Sequence, residues 1–326
     1  MTIIFWIIVF LVSLALLVKS ADWFIESAEK IGLALKISPF IIGVTIVAMG
    51  TSLPELMSSL VAVFKGATEI VVANAIGSNI ANIFLIVGIS SIIAKSLIVR
   101  RNLIDLDAPL LIAFTSLFIF SAWDRVIVLG EGILLIIGFI IYLLYTAFQG
   151  RDSDLKSEIV EILPLRADRR EKKVKQGGLS LAVFFYLFLG GIGLAVGANY
   201  TIEAVLKLSA LFNVATSFIA ITAVAIGTSL PELIVSAKAA FNKKYEIALG
   251  NIFGSNIFNI LLVVGIPALI KPIAIDDLTF AIGLPFLVVS TLLFAISSIS
   301  QKIHIWEGLA YLLIYVFFVI KLAGIF

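Results

Sequence analysis

The sequence predicts an all-α polytopic membrane protein, with ten transmembrane helices arranged as two inverted five-helix repeats. Three observations lead to this fold class. Apolar residues make up 61% of the 326 residues and charged residues only 13%, which leaves too little polar surface to cover a water-soluble domain. The apolar residues fall into ten long windows, and the first half of the chain is similar to the second half at a constant spacing.

The ten apolar windows are each long enough for a membrane-spanning helix, and short charged or turn-forming stretches separate them. We place them at residues 3–29, 38–64, 70–94, 103–122, 127–149, 178–206, 213–241, 247–270, 278–299 and 305–324. The first window has no basic residue ahead of it and no small-residue cleavage site after it. We therefore interpret it as a retained span and not as a signal peptide.

The basic residues are distributed unequally between the loops. If the spans alternate, sixteen lysines and arginines fall on one side of the membrane and five on the other. Because positive residues favour the cytoplasmic side, the sequence predicts a plasma-membrane protein with both termini extracellular. The charged segment 151–177 is then a cytoplasmic linker between a first repeat at 1–150 and a second repeat at 178–326.

The internal repeat relates residues 20–88 to residues 197–265 without a gap, at an offset of 177 positions. The segment GTSLPEL at 50–56 recurs unchanged at 227–233. Chance similarity between two apolar segments would match leucine and valine and not asparagine, proline and glutamate, so we infer a duplication. Each half holds an odd number of spans, so the second half enters from the opposite side. Inverted repeats of this kind place a shared site at mid-depth with two alternative accesses, as in transporters.

Each GTSLPEL copy places a carboxylate, Glu55 or Glu232, in the middle of a predicted span. A charged side chain at the bilayer centre costs about 2.5 to 3.5 kcal/mol on insertion scales. Two such residues therefore indicate a function, and the simplest function is to hold a cation. Two carboxylates would neutralise one Ca²⁺, a hard ion that takes six to eight oxygen ligands. Because two neighbouring carboxylates do not easily both stay ionised, protons and monovalent cations are expected to compete.

The prolines of the two motifs predict broken helices. Pro54 and Pro231 have no backbone N–H, and each ring clashes with the carbonyl four residues earlier, so the helices are expected to kink or unwind at 50–52 and 227–229. The break is expected to free carbonyls at 48–51 and 225–228. Inside a membrane such groups are tolerated only where they line a cavity or are otherwise satisfied.

Further oxygen donors accompany the glutamates at helical spacing. Thr51 and Thr228 each precede a glutamate by four residues and share its helix face. In the second repeated motif, GSNIxN at 77–82 and 254–259, serine and asparagine are likewise four apart; these residues are Ser78, Asn82, Ser255 and Asn259. Uncharged oxygens suit Na⁺. Such side chains also serve as packing contacts between membrane helices, but their duplication in register beside the glutamates favours ion ligands.

The paired GTSLPE and GSNIxN motifs resemble the two alpha-repeats of the cation/calcium antiporter superfamily, in particular the prokaryotic sodium/calcium exchangers. The resemblance covers nearly the whole chain in length, layout and motif. It implies a central Ca²⁺ site formed by Thr51, Glu55, Thr228 and Glu232. It also implies two flanking Na⁺ sites, which use these same residues together with Ala48, Ser52 and Ser78 on one side and Ala225, Ser229 and Ser255 on the other.

The expected function is therefore a secondary antiporter that exports Ca²⁺ against Na⁺ entry, works as a monomer and needs no cofactor. H⁺/Ca²⁺ exchange is the alternative, since glutamates also carry protons, and a cation channel is a weaker one. An enzyme is not expected, because the chain has no cysteine, no HExxH motif and a single histidine, His304, in a predicted loop. The basic residues lie in loops where topology accounts for them, so they do not indicate nucleic acid binding.

The neutral side chain of Asn259 is relevant to whether K⁺ is co-transported. Some relatives, including potassium-dependent exchangers, carry aspartate at this position, whereas Asn82 and Asn259 are both uncharged here. The middle of the site then has two carboxylates and not three. We therefore expect that K⁺ is not co-transported and that a water or a proton occupies the middle position.

Overall fold

The computed structural model of the protein describes residues 3–34, 48–99, 107–149 and 180–325. In the first half the elements are α1 (Ile3–Ala34), α2 (Ala48–Gly50), α3 (Leu53–Phe64), α4 (Glu69–Ile80), α5 (Gly88–Ala94), β1 (Ser96–Ile98), α6 (Ala108–Ser121), β2 (Val126–Ile127) and α7 (Leu129–Gln149). In the second half they are α8 (Leu181–Phe212), α9 (Thr216–Ile219), α10 (Ala225–Thr228), α11 (Leu230–Phe241), α12 (Tyr245–Phe258), α13 (Val264–Ala268), β3 (Ile273–Ala274), α14 (Leu284–Ile299), β4 (Lys302–His304) and α15 (Ile305–Leu322).

Four π-helical segments lie wholly within the described residues and continue or precede these helices. They are Ala81–Val87 between α4 and α5, Ala220–Val224 between α9 and α10, Asn259–Val263 between α12 and α13, and Thr279–Gly283 before α14. Each inserts wider turns into a continuous helix, which changes the direction in which the following side chains point.

Seven helical stretches are long and apolar enough to cross a membrane, namely Ile3–Gly32, Glu69–Ala94, Leu129–Thr146, Leu181–Phe212, Tyr245–Ala268, Thr279–Ile299 and Ile305–Leu322. Thr216–Thr228 and Leu230–Phe241 form an eighth if they are taken as one span bent by 44°. In the two other predicted windows, 38–64 and 103–122, the structure shows the shorter apolar helices α3 and α6. Residues 35–47 and 100–106 lie outside the described residues, so the number of ten spans stays a prediction.

Two helices extend beyond the C-terminal ends of the predicted windows. The window 3–29 is predicted from apolar character alone, but α1 continues to Ala34, because lysine, leucine and alanine beyond the window favour a helix. The window 178–206 was ended before Lys207, but α8 continues to Phe212. It ends there because Asn213 adopts the left-handed conformation that caps helices.

The centre of the protein is formed by the spans Glu69–Ala94 and Tyr245–Ala268, whose most apolar windows are 94% and 83% buried. The long helices α1 and α8 pack mainly against each other. Their backbones touch, since a Cβ atom on Gly197 would lie 2.8 Å from the Leu17 nitrogen. The outward faces of both helices carry exposed apolar side chains such as Leu11 and Phe188, which is the surface expected against lipid.

Two short antiparallel ribbons connect the halves of the chain. In one ribbon β1 pairs with β4, with Ser96 opposite His304, and in the other β2 pairs with β3, with Val126 opposite Ala274. An ion pair between Arg125 and Asp277 lies beside the second ribbon. His304 therefore does not lie in a loop as predicted. It ends β4, and its backbone N–H donates to the Glu307 carboxylate in the first turn of α15.

Candidate ion-binding site

Both GTSLPEL motifs form breaks between helices, as the prolines predict. The first break lies at Thr51 and Ser52, between α2 and α3, and the second at Ser229, between α10 and α11. At Ser229 the backbone has φ −80° and ψ 5°, and at Ser52 it has φ −93° and ψ 10°. A proline follows each break in the first turn of the next helix, where its missing N–H costs nothing.

The two glutamates follow directly after the breaks and are completely buried, with 0% exposure for Glu55 and for Glu232. Each accepts a hydrogen bond from the serine of the other motif. The Ser52 hydroxyl donates to Glu232 Oε1 at 2.7 Å, and the Ser229 hydroxyl donates to Glu55 Oε1 at 3.3 Å. Each carboxylate therefore lies at the helix break of the opposite repeat, in the first turn of a helix, where the positive end of the helix dipole favours a negative charge.

The serines of the second motif reach the same carboxylate oxygens. Ser78 donates to Glu55 Oε1 at 3.5 Å, and Ser255 donates to Glu232 Oε1 at 3.4 Å. These two contacts are equivalent at the offset of 177 residues, as are the two contacts across the breaks. The structure thus brings six of the candidate residues together around two carboxylates.

The second oxygen of each carboxylate has no hydrogen-bond partner in the described part of the chain. Glu55 Oε2 and Glu232 Oε2 are both buried, and the two carboxylates interact electrostatically. Buried charges without partners are costly, and two like charges close together repel. A cation bound to the two free oxygens would remove both costs.

The threonines take different contacts in the two motifs. The Thr51 hydroxyl donates to Asn251 Oδ1 at 3.5 Å, and the Thr228 hydroxyl donates to the Val224 carbonyl at 3.0 Å. Thr51 also lies beside Glu232, and Thr228 beside Glu55. Both threonines are therefore next to the carboxylate of the opposite repeat.

The backbone carbonyl of Ala225 is not left free by the break, contrary to expectation. It accepts the Ser229 N–H at 3.0 Å and is also 3.4 Å from the Thr228 hydroxyl. Pro231 removes the N–H that would bond residue 227, not the one that bonds residue 225. A cation bound to the Ala225 carbonyl would therefore share that oxygen with the hydrogen bonds that it already accepts. Ala48, the corresponding residue, is the first residue of α2.

Four asparagines of the two GSNIxN motifs are buried, namely Asn79, Asn82, Asn256 and Asn259. Asn82 donates to Asn256 Oδ1 at 3.3 Å, and Asn79 donates to the Asn256 backbone carbonyl at 3.0 Å. Among the described residues, neither side-chain atom of Asn259 has a hydrogen-bond partner, although it is 0% exposed. Asn82 and Asn259 both lie in π-helical segments, a feature often found at functional sites.

Asn74 and Asn251 complete the surroundings of the site, although the sequence reasoning did not propose them as site residues. Asn74 donates to the Glu55 backbone carbonyl at 3.4 Å, and Asn251 bonds Ser236 at 3.1 Å as well as accepting from Thr51. The sequence could have identified them, because Asn74 and Asn251 correspond to each other in the internal repeat, and identical polar residues are unusual within apolar spans.

The donor set is suited to a hard cation. It consists of two carboxylates with hydroxyl, amide and carbonyl oxygens, which are ligands that Ca²⁺ and Na⁺ accept. No group of three or more histidine, cysteine, aspartate or glutamate side chains is placed to hold a metal in the described ranges. A pair of buried carboxylates at the breaks of two helices in a membrane protein is the arrangement expected of a cation transporter.

Comparisons with known proteins agree with this class. The family model described as sodium/calcium exchanger protein matches residues 5–148 and 182–323. The chain is 31% identical to the sodium/calcium exchanger MaX1 of Methanosarcina acetivorans, with 97% of both chains covered. It is 37% identical to the putative antiporter CaxA of Alkalimonas amylolytica over 82% of this chain and 81% of that one. A solved structure of the sodium-calcium exchanger NCX_Mj is 31% identical and covers 97% of this chain and 98% of that one, with a TM-score of 0.62.

The chain therefore belongs to the sodium/calcium exchanger family, and it is a membrane antiporter of cations. This confirms the resemblance drawn from the two repeated motifs. The structure brings the serines and threonines of both motifs to the two glutamates, namely Thr51, Ser52, Ser78, Thr228, Ser229 and Ser255. For the other candidate ligands, Ala48, Asn82, Ala225 and Asn259, the described contacts do not include the carboxylates.

Proposed function

We propose that this protein exchanges Na⁺ for Ca²⁺ by alternating access and exports Ca²⁺ across the plasma membrane. The observation that carries the proposal is the reciprocal pairing of Ser52 with Glu232 and Ser229 with Glu55. On each carboxylate the second oxygen has no hydrogen-bond partner among the described residues. This pairing brings the two carboxylates to one place, where they can share a single divalent ion.

In this proposal Ca²⁺ binds between Glu55 and Glu232, with oxygens from Thr51 and Thr228. Na⁺ binds on either side, close to the serine of each break and the serine of each second motif. Because the same carboxylates serve both ions, Ca²⁺ and Na⁺ compete for the site and do not occupy it together. Competition of this kind couples the movement of one ion to that of the other.

The architecture proposed for this function is two inverted five-helix repeats, 1–150 and 178–326, joined by the linker 151–177, which lies outside the described residues. Two features support it. The serine to glutamate contacts occur in pairs related by the offset of 177 residues. The ribbons pair β1 with β4 and β2 with β3, which are the loops that alternating spans bring to the same side of the membrane.

The first experiment removes one charge at a time. Glu55→Gln and Glu232→Gln should each abolish Ca²⁺ binding in calorimetric titration, because one remaining carboxylate does not balance the charge of the ion. Glu131→Gln serves as the matched control, since Glu131 is partly exposed and bonds the Val128 N–H at the start of α7. Wild-type affinity in either of the first two variants would remove that glutamate from the site.

The coupling ion is tested by transport. We expect an imposed Na⁺ gradient at clamped pH to drive Ca²⁺ uptake into proteoliposomes, because the hydroxyl oxygens that flank each glutamate suit Na⁺. H⁺/Ca²⁺ exchange is the second candidate, since the carboxylates can also carry protons. Uptake that responds to a pH gradient and not to the Na⁺ gradient would reverse the order of the two candidates.

Potassium dependence is tested at Asn259. Because Asn82 and Asn259 are neutral, we expect Ca²⁺ uptake to be independent of K⁺ in the unmodified protein, whereas Asn259→Asp should introduce a dependence by adding a third carboxylate. Asn256→Asp, at another buried asparagine of the same motif, is the matched control for a charge added elsewhere. A strong K⁺ requirement of the unmodified protein would contradict the proposal.

A further inference from the structure

Buried asparagines of the two GSNIxN motifs form one set of hydrogen bonds between the repeats. Asn82 Nδ2 donates to Asn256 Oδ1 at 3.3 Å, and Asn79 Nδ2 donates to the Asn256 backbone carbonyl at 3.0 Å. We call these two bonds the observed set. Both bonds end on Asn256, so the set is not symmetric between the two repeats.

The internal repeat defines a second set of bonds, which we call the mirror set. At the offset of 177 residues, Asn79 corresponds to Asn256 and Asn82 to Asn259. The mirror set would therefore join Asn259 Nδ2 to Asn79 Oδ1, and Asn256 Nδ2 to the Asn79 backbone carbonyl. These three side-chain atoms are buried, and within the described part of the chain none of them has a hydrogen-bond partner.

The unpaired atoms of the asparagines thus match the atoms that the mirror set requires. Buried polar atoms without partners are rare, because they lose their bonds to water without replacement. An asparagine amide has one oxygen that accepts and one NH₂ group that donates. Rotation of the side chains is the smallest movement that exchanges the two sets, so the helices can keep their positions.

A second pair of side chains shows the same asymmetry between the repeats. Asn251 Nδ2 donates to the Ser236 hydroxyl at 3.1 Å. The corresponding residues of the first repeat are Asn74 and Ser59. Asn74 Nδ2 donates instead to the Glu55 backbone carbonyl at 3.4 Å. Among the described residues, neither Asn74 Oδ1 nor the Ser59 hydroxyl has a hydrogen-bond partner, so the asymmetry extends beyond the GSNIxN motifs.

We propose that Asn256 and Asn79 are positioning residues that act in turn. In one access state Asn256 holds the amide of Asn82, and in the other Asn79 holds the amide of Asn259. A held amide has its Nδ2 engaged, so its oxygen is the atom left for an ion or a water molecule. The asparagine oxygen of the site then comes from a different repeat in each access state. This inference rests on the alternating access proposed above and names the bonds that change.

The test removes one set at a time, at the asparagine that only that set uses. Asn82→Leu removes a bond of the observed set, and Asn259→Leu removes one of the mirror set. Leucine keeps the branching at Cγ and has no polar side-chain atom. The readout is backbone hydrogen exchange, measured by mass spectrometry on the purified protein in detergent without Na⁺ or Ca²⁺. Peptides from α3 and α11 are compared, because these helices correspond at the offset of 177 residues and lead to opposite sides in the proposed topology.

Asn82→Leu should shift the equilibrium between the two access states by about tenfold, the factor that corresponds to about 1.4 kcal/mol. Exchange in α3 and in α11 should therefore change in opposite directions. Asn259→Leu should cause the reverse of this change, or none if the unmodified protein populates only the observed set. Because no ion is present, the candidate roles of the two asparagines as ligands do not contribute.

The matched control is Thr115→Val, which removes a buried hydroxyl of α6 that has no hydrogen-bond partner among the described residues. It should change exchange in neither helix. Elution volume and helicity check folding, and Asn82→Ala replaces Asn82→Leu if the latter does not fold. Unchanged exchange in the Asn82 variant, or the same change in both asparagine variants, overturns the proposal. Opposite changes in a protein that does not exchange Na⁺ for Ca²⁺ would support the positioning residues and reject the proposed function.

Discussion

Ser52 and Ser229 are the residues that connect each repeat to the carboxylate of the other. The Ser52 contact is the shorter one, at 2.7 Å against 3.3 Å. A hydroxyl that bonds a carboxylate in the absence of metal also offers its oxygen to Na⁺ when the ion is present. In the proposed mechanism the two serines therefore link the state of the carboxylates to the occupancy of the proposed Na⁺ sites.

We predict that Ser52→Ala and Ser229→Ala raise the Na⁺ concentration needed to release Ca²⁺. A hydrogen bond to a charged group contributes about 1.5 to 3 kcal/mol, so we expect an increase of roughly tenfold or more, larger for Ser52→Ala. The measurement is Na⁺-dependent Ca²⁺ efflux from proteoliposomes. Ser298→Ala is the control, because that buried hydroxyl bonds the Phe294 carbonyl within α14. Unchanged Na⁺ dependence in both variants would contradict the prediction.

At the level of single residues, the sequence predicted most of the site because its chemistry is conspicuous in an apolar chain. Glu55, Glu232 and their serines are polar residues at helical spacing, and a duplicated pattern identifies them. The contacts that it did not predict are those between residues of different helices, because they depend on how the helices pack. The contact of Asn82 with Asn256 is an example, since helical spacing describes one helix and not which residue of another helix lies opposite.

At the level of elements, the broken helices are the main feature that positions the two carboxylates. Pro231 lies in the first turn of α11, and the preceding helical stretch Thr216–Thr228 meets α11 at an angle of 44°. The break directs the start of α11, with its positive dipole end, toward the carboxylates. The same arrangement at Pro54 begins α3.

We predict that Pro231→Ala straightens the helix and weakens Ca²⁺ binding. Alanine restores the N–H that can bond the Gly227 carbonyl, so that carbonyl returns to the helix ladder and Glu232 turns away from Glu55. Calorimetry should show a loss of about tenfold, or about 1.4 kcal/mol. Pro285→Ala is the matched control, because Pro285 occupies the first turn of α14 without a GTSLPEL motif. Equal affinities of the two variants would exclude a role for the break in binding.

The π-helical segments show where prediction from sequence stopped. Ala81–Val87 and Asn259–Val263 read as ordinary apolar helix, because neither contains a proline and their residues favour helical backbone. The wider turns depend on packing between helices at the centre of the protein, which local sequence does not encode. The broken helices were predictable for the opposite reason, since proline acts through its own covalent structure.

At the level of the whole molecule, sidedness is the property that the sequence predicts and transport requires. We predict that Lys271→Cys is labelled by a membrane-impermeant thiol reagent from outside intact cells, and Lys302→Cys only in inverted vesicles. Both lysines are exposed, and they lie beside different ribbons. The physical reason is the excess of basic residues in the loops assigned to the cytoplasm. Labelling of both positions from the same side would contradict the alternation of spans.

The two ribbons restrict how the protein can move. Strands β1 and β4 join the two halves of the chain, and so do β2 and β3. In the proposed topology the two ribbons lie on opposite sides of the membrane. If each half rocked as a rigid body, the ribbon on the opening side would have to separate, which would expose unpaired peptide groups. The helices joined by the ribbons are therefore expected to keep their relative positions during the proposed transport cycle. The long outer helices α1 and α8, which carry no ribbon strand, are free of that restraint.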